Sequence, residues 1–394
     1  MSFNSSHSPR LTLFVASLAH AFSHMFMLLY ATVVLVIDTE LNFSYSELQW
    51  LAVPGFVMFG LAALPAGWLG DRWSSTGMMV IFFIGLFLAS FVTATANSKL
   101  GLLIGLTLIG IFAAIYHPVG IAWLVKHSKN RGRALGINGV FGNIGTAIAA
   151  LLAGALADIF GWRYAFFIPG LAALFCGLML SLILFKGYLK DVSVDAVKNP
   201  ETRGGDVRRA FTALFITVIM VGLIFNSTSV GLPKIFSDRL TLGSGALGPG
   251  ALVALVYFIA AGAQLLGGEA ADKFSQRKVY FLAQIFQIPI ILIAFYTFNY
   301  GLVVLAVIMV GLNMGAQPVE NALVARYTPT AWRSRIYGIK FVLTLGVTSL
   351  GVMLVPIISG RTGSLNFLFI ALAIFAILST IGAWYLPKDN RSIQ

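Results

Sequence analysis

Charged residues are scarce in this sequence, and that shortage indicates its solvent. Aspartate, glutamate, lysine and arginine make up 10% of its 394 residues, whereas soluble proteins carry about 25%. Hydrophobic residues make up 58%, and the mean hydropathy is +0.90. A soluble globule could not bury so much apolar surface, so the composition indicates a protein that lies in lipid.

Cysteine and the common catalytic motifs are also missing. The one cysteine, Cys176, lies inside an apolar run and excludes an internal disulfide. No nucleophile–base pair, cofactor motif or nucleotide-binding loop occurs, so we expect no enzyme activity, no cofactor and no direct use of ATP. The net charge of +12 comes without a folded basic module or a platform of stacking aromatics. We therefore expect no nucleic-acid partner.

The main feature of the sequence is its series of long apolar runs. Twelve of them reach the length of about 20 residues that crosses a bilayer as a helix. Only helices and closed barrels satisfy their backbone in hydrocarbon, and runs this long are helices. The predicted spans are residues 12–37, 47–69, 77–96, 101–125, 133–157, 162–187, 210–233, 248–271, 278–298, 301–325, 335–359 and 365–386.

One long polar segment, residues 188–209, divides the spans into two groups of six. It contains Gly204, Gly205 and charges of both signs, which is typical of a linker. We predict an N-terminal six-helix bundle at residues 1–187, a cytoplasmic linker at 188–209 and a C-terminal six-helix bundle at 210–394. The fold class is thus an all-α membrane protein of twelve transmembrane helices in two bundles.

The basic residues are distributed unequally between the two sides of the predicted spans. Of the 26 lysines and arginines, all but five fall on the side of the N-terminus. Because lysine and arginine accumulate in cytoplasmic loops, both termini are predicted to lie in the cytoplasm. The five residues on the outer side are Lys99, Arg163, Lys234, Arg239 and Arg361.

The two halves of the chain repeat each other. Residues 116–120 (YHPVG) match residues 316–320 (AQPVE), and residues 131–138 (RGRALGIN) match residues 333–340 (RSRIYGIK). Glu320 is the one carboxylate placed well inside an apolar run, where the first half has glycine. Asn313, Gln317 and Glu320 follow the i, i+4, i+7 spacing, so a helix places all three on one face.

Two short loops carry a shared motif of glycine, three residues, aspartate and a basic residue, at 67–72 and 268–273. Together with GWRYAF at 161–166, these loops resemble the major facilitator superfamily, and the resemblance covers essentially the whole chain. The YHP and RGRALG segments are similar to bacterial drug-efflux and fosmidomycin-resistance-like members, which implies a bacterial inner-membrane protein. Ala149 and Ala150 replace the glycine–proline pair of the antiporter motif, so import and export both stay open.

The resemblance implies two pseudo-symmetric bundles around a central cavity lined by spans 1, 4, 7 and 10, and rocker-switch alternating access. All four spans carry polar residues. We assign proton coupling to Glu320, His24 and His20, because intramembrane ionisable groups usually mark functional sites. Substrate binding is assigned to Tyr116, His117, Asn226, Ser229, Asn313, Gln317 and Lys340, and gating to Asp71, Arg72, Asp272, Lys273 and Arg277.

Each assignment has a structural alternative. Glu320 could form an ion pair with Lys340, Lys340 could extend to the inner surface, and the histidines could hydrogen-bond to a neighbouring helix. The three histidines could also bind a transition metal, although His20 and His24 on one helix provide only half a site. No resident metal site is assigned.

The sequence thus predicts a proton-coupled secondary transporter of a small organic solute. Its expected partners are that solute, protons and the lipid bilayer, and the chain is expected to be a monomer. Two alternatives stay open. One is a membrane protein that does not pump, such as a passive facilitator or a lipid scramblase, and the other is a transition-metal transporter.

Overall fold

The regular structure of the protein is helical throughout the part of the chain described by the computed structural model, which comprises residues 9–41, 43–128, 130–189, 207–328, 340 and 342–387. The α-helices are α1 Pro9–Leu41, α2 Tyr45–Leu61, α3 Ala63–Arg72, α4 Ser75–Ala94, α5 Lys99–Ala113, α6 Ile121–His127, α7 Arg131–Phe160, α8 Tyr164–Phe185, α9 Val207–Arg239, α10 Leu247–Lys273, α11 Gln276–Tyr296, α12 Gly301–Tyr327, α13 Leu350–Thr362 and α14 Leu368–Tyr385. Two π-helical turns, Tyr116–Gly120 and Val342–Gly346, and a 3₁₀ turn at Val347–Ser349 complete the elements. This architecture confirms the all-α fold class.

Eleven helical segments among the described residues are long and apolar enough to cross a membrane. They correspond to the predicted spans except the eleventh, residues 335–359, which lies partly outside the described residues. The described part of that span contains the second π turn, the 3₁₀ turn and most of α13. The predicted linker lies mostly outside the described residues as well. Helix α8 ends at Phe185, and α9 begins at Val207.

Serine side chains fix the starts of several helices. The hydroxyl oxygens of Ser44, Ser74, Ser98 and Ser275 accept hydrogen bonds from backbone N–H groups three residues later, at α2, α4, α5 and α11. At α2, the side chain of Glu47 accepts a bond from the backbone N–H of Ser44 and completes a capping box. A serine cap satisfies one of the free N–H groups at a helix start. Short polar loops between apolar runs therefore become sharp helix boundaries.

The chain divides into two compact units. Unit 1 contains α1 to α8 and residues 243–254, and unit 2 contains α9 and the chain from Leu255 onwards. In unit 1, α1 packs mainly against α7, and α4 packs against α5 and α8. In unit 2, α9 packs mainly against α14, and α11 packs against α12 and α14. Because α4 and α11 are the third spans of their halves, the internal repeat of the sequence reappears in the packing.

Close helix approach in unit 1 depends on glycine. Helices α2 and α5 cross at Gly55 and Gly110, where a Cβ atom added to Gly110 would lie 1.9 Å from the Gly55 carbonyl oxygen. Small residues at such crossings allow backbones to approach, which is how membrane helices gain packing energy without a hydrophobic driving force. The contact holds the second span against the fourth, whose next turn carries candidate site residues.

Candidate functional site

The fourth span opens into a wide turn at Tyr116–Gly120. Pro118 has no N–H group to donate, and its ring crowds the carbonyl one turn earlier, which disturbs the helical hydrogen bonds here, although α12 passes its counterpart Pro318 as an α-helix. The chain adopts a π-helical turn, and α6 continues from Ile121. Such turns are frequent at functional sites. Here both Tyr116 and His117 are buried inside unit 1.

Three histidines of unit 1 meet beside this turn. His20 and His24 lie one helical turn apart on α1, and His117 belongs to the π turn. The ring centroids of His20 and His24 are 5.0 Å apart, and each lies 5.4 Å from that of His117. One ring nitrogen from each histidine lies within 4.8 Å of those of the other two. The structure therefore brings together residues that the sequence places on two separate spans.

Asn138 of α7 orients one side of this histidine cluster. Its backbone carbonyl oxygen lies 2.8 Å from Nδ1 of His20, and its side-chain oxygen accepts a 2.8 Å hydrogen bond from the Tyr116 hydroxyl. The Tyr116 ring also stacks on His20 at 4.7 Å. Because a carbonyl oxygen can only accept, His20 Nδ1 carries the proton and Nε2 keeps its lone pair. Sequence patterns do not assign Asn138 a role, although the repeat aligns it with Lys340.

Unit 2 holds a buried ion pair. The Nζ atom of Lys340 lies 2.7 Å from Oε1 of Glu320, and the two side chains are only 14% and 6% exposed. The Tyr280 hydroxyl of α11 donates a 2.7 Å hydrogen bond to the second carboxylate oxygen of Glu320. Lys340 also donates to the side-chain oxygen of Asn321. The geometry is therefore that of the ion pair, and Lys340 does not extend to the surface.

Unit 2 also contains a small pocket between α9, α10 and α12. Its cavity volume is about 10 Å³, roughly the room that one water molecule needs and far below the roughly 300–1,000 Å³ of sites for drug-sized ligands. Thr228 and Asn313 line it, and among the described residues nothing hydrogen-bonds to the buried Thr228 hydroxyl or the Asn313 side-chain oxygen. Tyr257 forms part of the wall. Two unsatisfied polar atoms in an apolar pocket make it a candidate subsite for a polar group of a ligand.

The remaining predicted polar residues of unit 2 bond to neighbouring helices. Asn226 donates to Thr348 Oγ1 at 2.7 Å, and the amide of Asn313 donates to a backbone carbonyl of α9 at 3.2 Å. The Ser229 hydroxyl lies 2.7 Å from that of Tyr257. Gln317 accepts a 3.0 Å bond from Gln264 of α10. These residues hold α9, α10, α12 and the eleventh span together, and substrate contact stays a prediction for them.

One family model matches the chain in two overlapping parts. It is described as the Major Facilitator Superfamily and matches residues 13–263 and 214–394. The chain belongs to this superfamily. It is therefore a multi-pass integral membrane transporter of a small molecule, and not an enzyme.

Known relatives of this superfamily member have names of different transporter types. A Staphylococcus carnosus protein named as a probable nitrate transporter, NarT, is 24% identical over 375 residues, which cover 91% of each chain. The puromycin resistance protein pur8 of Streptomyces alboniger is 26% identical over 141 residues, or 35% of this chain and 28% of the relative. Relatives at this distance leave the substrate open.

A solved structure of a bacterial homologue of the human lysosomal transporter Spinster, described as inward-facing and unoccupied, is similar to the whole chain. The TM-score is 0.78 at 16% sequence identity, over 96% of this chain and 97% of that one. This likeness confirms the major facilitator fold that the sequence motifs predict.

The predicted gating residues of unit 1 make contacts at helix ends. A carboxylate oxygen of Asp71, at the end of α3, lies 3.7 Å from the Nζ atom of Lys126 in α6. Arg72 lies over the ring of Trp68, 5.1 Å from its centroid. Both contacts are partly or largely exposed and stay inside unit 1. A gating role for Asp71 and Arg72 stays a prediction.

The corresponding residues of unit 2 also make local contacts. Lys273 pairs with Glu269 one turn earlier on α10, at 2.5 Å. Arg277 donates a 2.6 Å hydrogen bond to the backbone carbonyl of Trp384 in α14. Asp272 is exposed. The shared loop motif thus lies at equivalent helix ends in this superfamily member, and gating by these three predicted residues also stays a prediction.

Arg239 is a buried cation that sequence patterns place among the outer-side charges. It lies at the end of α9 and is only 8% exposed. Its guanidinium donates to the carbonyl oxygens of Ala294 at 2.7 Å and Thr297 at 3.1 Å, and to the side chain of Asn366 at 2.8 Å. Two phenylalanine rings cover it. Every one of these partners belongs to unit 2, so Arg239 links the end of α9 to the end of α11 and to the segment just before α14.

Proposed function

We propose that the chain is a proton-coupled secondary transporter that moves a small organic solute by alternating access. The observation that carries the proposal is the buried pair of Glu320 and Lys340 with the Tyr280 hydroxyl on the same carboxylate. An ionisable group inside a membrane protein is expensive to insert and usually serves a proton or substrate pathway. Glu320 is the proposed proton carrier.

Coupling follows from the charge balance of this pair. With Glu320 ionised, its carboxylate and the Lys340 ammonium compensate each other. A proton on Glu320 removes the negative charge and leaves Lys340 without its counter-charge. The conformation in which Lys340 reaches water or a negatively charged group then gains stability over the one in which it is buried. A titrating group whose protonation favours one state links the proton gradient to the transport cycle.

The polar atoms of the unit 2 pocket support an uncharged solute as the substrate. The unit 2 pocket presents the unsatisfied oxygens of Thr228 and Asn313, which suit hydrogen-bond donors of an uncharged solute. Lys340 is already compensated by Glu320 in this state. A neutral solute, or a weak acid carried with its proton, therefore fits these groups better than a permanently charged one.

Transport in liposomes tests the proposal. The purified protein is first screened for thermal stabilisation by metabolites and by puromycin, and a stabilising solute is then followed in proteoliposomes. We expect a pH gradient to drive accumulation of that solute. The variant Glu320→Gln/Lys340→Gln should keep solute exchange at equal pH and lose the gradient-driven part, because the pair is removed without leaving a lone buried charge.

Two outcomes would contradict this. If the double variant still accumulates solute against its gradient when a pH gradient is imposed, Glu320 is not the carrier. If the native protein only equilibrates the solute at every pH gradient, the protein is a passive facilitator. A fluorescent-lipid exchange assay in the same vesicles checks the scramblase alternative directly.

Nitrate is a second candidate substrate, because the relative that covers 91% of each chain is named as a probable nitrate transporter. An anion in a low-dielectric site needs a cation opposite it. Protonation of Glu320 would release Lys340 for that role, so nitrate would enter together with a proton. Proton-driven nitrate uptake into proteoliposomes that disappears in Lys340→Gln supports this candidate, and absence of nitrate uptake by the native protein excludes it.

The orientation predicted from the basic residues forms part of the proposal. Both termini are expected in the cytoplasm of a bacterial inner membrane. A C-terminal green fluorescent protein fusion should then fluoresce, whereas a C-terminal alkaline phosphatase fusion should stay inactive. The reverse result would invert the orientation.

A further inference from the structure

We infer that unit 1 contains a transition-metal site formed by the imidazoles of His20, His24 and His117. The proposed ligand is a borderline divalent cation such as Zn²⁺, Co²⁺ or Ni²⁺. This site lies in the other unit from the Glu320 pair and does not depend on Glu320 as the proton carrier, whereas for His20 and His24 it replaces the proton-coupling role that the sequence predicts. It also adds the third ligand that the two histidines of α1 lack on their own.

The distances suit a metal after small side-chain movements. One ring nitrogen from each histidine lies within 4.8 Å of the others. Zinc–nitrogen bonds of about 2.0–2.1 Å in a tetrahedral site place the ligand nitrogens about 3.3 Å apart. Each ring has to approach a common centre by about 1 Å, which rotation about its side-chain bonds can supply. No backbone rearrangement is required.

The hydrogen bond of His20 prepares it as a ligand. Metal-binding histidines commonly donate their second ring N–H to a carbonyl or carboxylate, which fixes the tautomer and the ring orientation. The Asn138 carbonyl occupies this place at 2.8 Å from Nδ1 of His20. Because Nδ1 then carries the proton, Nε2 of His20 is the available ligand atom.

Glycine leaves room for that atom. A Cβ atom added to Gly142 of α7 would lie 2.6 Å from Nε2 of His20, whereas one added to Gly139 would meet no atom of the described residues within 4 Å. At Gly142, α7 therefore carries no side chain that would overlap the ligand atom Nε2 of His20. The two glycines provide a matched pair of positions for an experiment.

The chemistry of the ligands selects the ion. Neutral imidazoles suit Zn²⁺, Co²⁺, Ni²⁺ and Cu²⁺, whereas Mg²⁺ and Ca²⁺ require oxygen ligands. Three protein ligands leave a fourth tetrahedral position for water or a small anion. A bound ion would tie α1 to the π turn of the fourth span.

Cobalt absorption spectroscopy tests the site. The full chain, purified with a tag that contains no histidine and stripped with EDTA, is titrated with Co²⁺. We expect one Co²⁺ per chain with the intense visible bands of tetrahedral coordination, displaced by Zn²⁺ and unaffected by Mg²⁺. His24→Gln and His117→Gln should each abolish the bands. Gly142→Ala should weaken binding by about 10- to 100-fold, the usual loss when a ligand's surroundings are disturbed.

Matched control variants distinguish metal binding at these histidines from a general loss of folding. Gly139→Ala should bind Co²⁺ like the native protein, and so should Glu320→Gln/Lys340→Gln, which keeps the metal site apart from the proton-coupling proposal. Thermal unfolding and gel filtration establish that each variant is folded. Absence of tetrahedral bands in the native protein, or bands that persist in folded His24→Gln and His117→Gln, would overturn the inference.

Discussion

A double-mutant cycle at Glu320 and Lys340 gives the sharpest test of the buried pair. The single variants Glu320→Gln and Lys340→Gln each remove one charge, and the double variant removes both. The atoms are 2.7 Å apart, with side chains 6% and 14% exposed. Each single variant therefore leaves an uncompensated charge in a site with little access to water, whereas the double variant leaves none.

The structure sets the expected order of stabilities. Breaking a buried pair by removing one partner costs about 3–5 kcal/mol, whereas replacing both charges is often close to neutral. For the double variant we expect a loss of about 1–2 kcal/mol, because the glutamine carbonyl can still accept from Tyr280. The double variant should thus be more stable than either single variant, with a coupling energy of at least about 4 kcal/mol, above the roughly 0.5–3 kcal/mol that is usual for residues in contact.

The free energy of unfolding can be measured by SDS titration in mixed micelles, followed by tryptophan fluorescence. Tyr280→Phe serves as the control, since it removes one hydrogen bond to the carboxylate and leaves both charges. It should cost about 1.5–3 kcal/mol. If both single variants lie within about 0.5 kcal/mol of the native protein, in the manner of a surface pair, or if the losses in the double variant add, the reasoning from a buried pair is refuted.

Three further predictions concern residues that hold helices in place, each checked by the same unfolding assay. Arg239→Ala removes the hydrogen bonds that the guanidinium donates to the carbonyl oxygens of Ala294 and Thr297 and to the side chain of Asn366 and should destabilise the protein by about 3 kcal/mol; a variant as stable as the native protein would show that Arg239 does not hold these helix ends together. Asp158→Asn removes the negative charge that accepts from the backbone N–H groups of Ala246 and Leu247 at the start of α10. It should lower the free energy of unfolding by about 1 kcal/mol, and by less at high salt. Gly110→Ala should cost about 1–3 kcal/mol or more through overlap with α2, whereas Gly136→Ala, which meets no described atom within 4 Å, should be tolerated.

Sequence patterns predict the fold well because lipid imposes it. A backbone in hydrocarbon has to bond internally, so each long apolar run becomes a helix whatever its neighbours. Glu320 is equally visible, because a carboxylate inside an apolar run is costly and therefore rare. From the sequence, Lys340 could either form an ion pair with Glu320 or extend to the inner surface. Which of the two occurs depends on how α12 and the eleventh span pack, and hydropathy does not encode that packing.

Neither the contact of Tyr280 with Glu320 nor the meeting of the three histidines could be predicted from the sequence. A tyrosine in an apolar span resembles any core aromatic, and its hydroxyl matters only because α11 packs against α12 next to Glu320. His20 and His24 can be placed on one face by helical spacing. Their distance to His117 depends on the π turn and on the packing of α1 against the fourth span, which contains that turn. Tertiary contacts of this kind have no local sequence signature.

The repeat shows how two different sites arise from one doubled unit. Position 120 is glycine in unit 1 and its counterpart is Glu320 in unit 2, while Asn138 is the counterpart of Lys340. In unit 1 both positions are neutral, and the Asn138 carbonyl oxygen lies 2.8 Å from Nδ1 of His20. In unit 2 the same two positions carry the ion pair. Two differences at equivalent places thus distinguish the histidine cluster, where we propose a metal site, from the ion pair, where we propose the proton carrier.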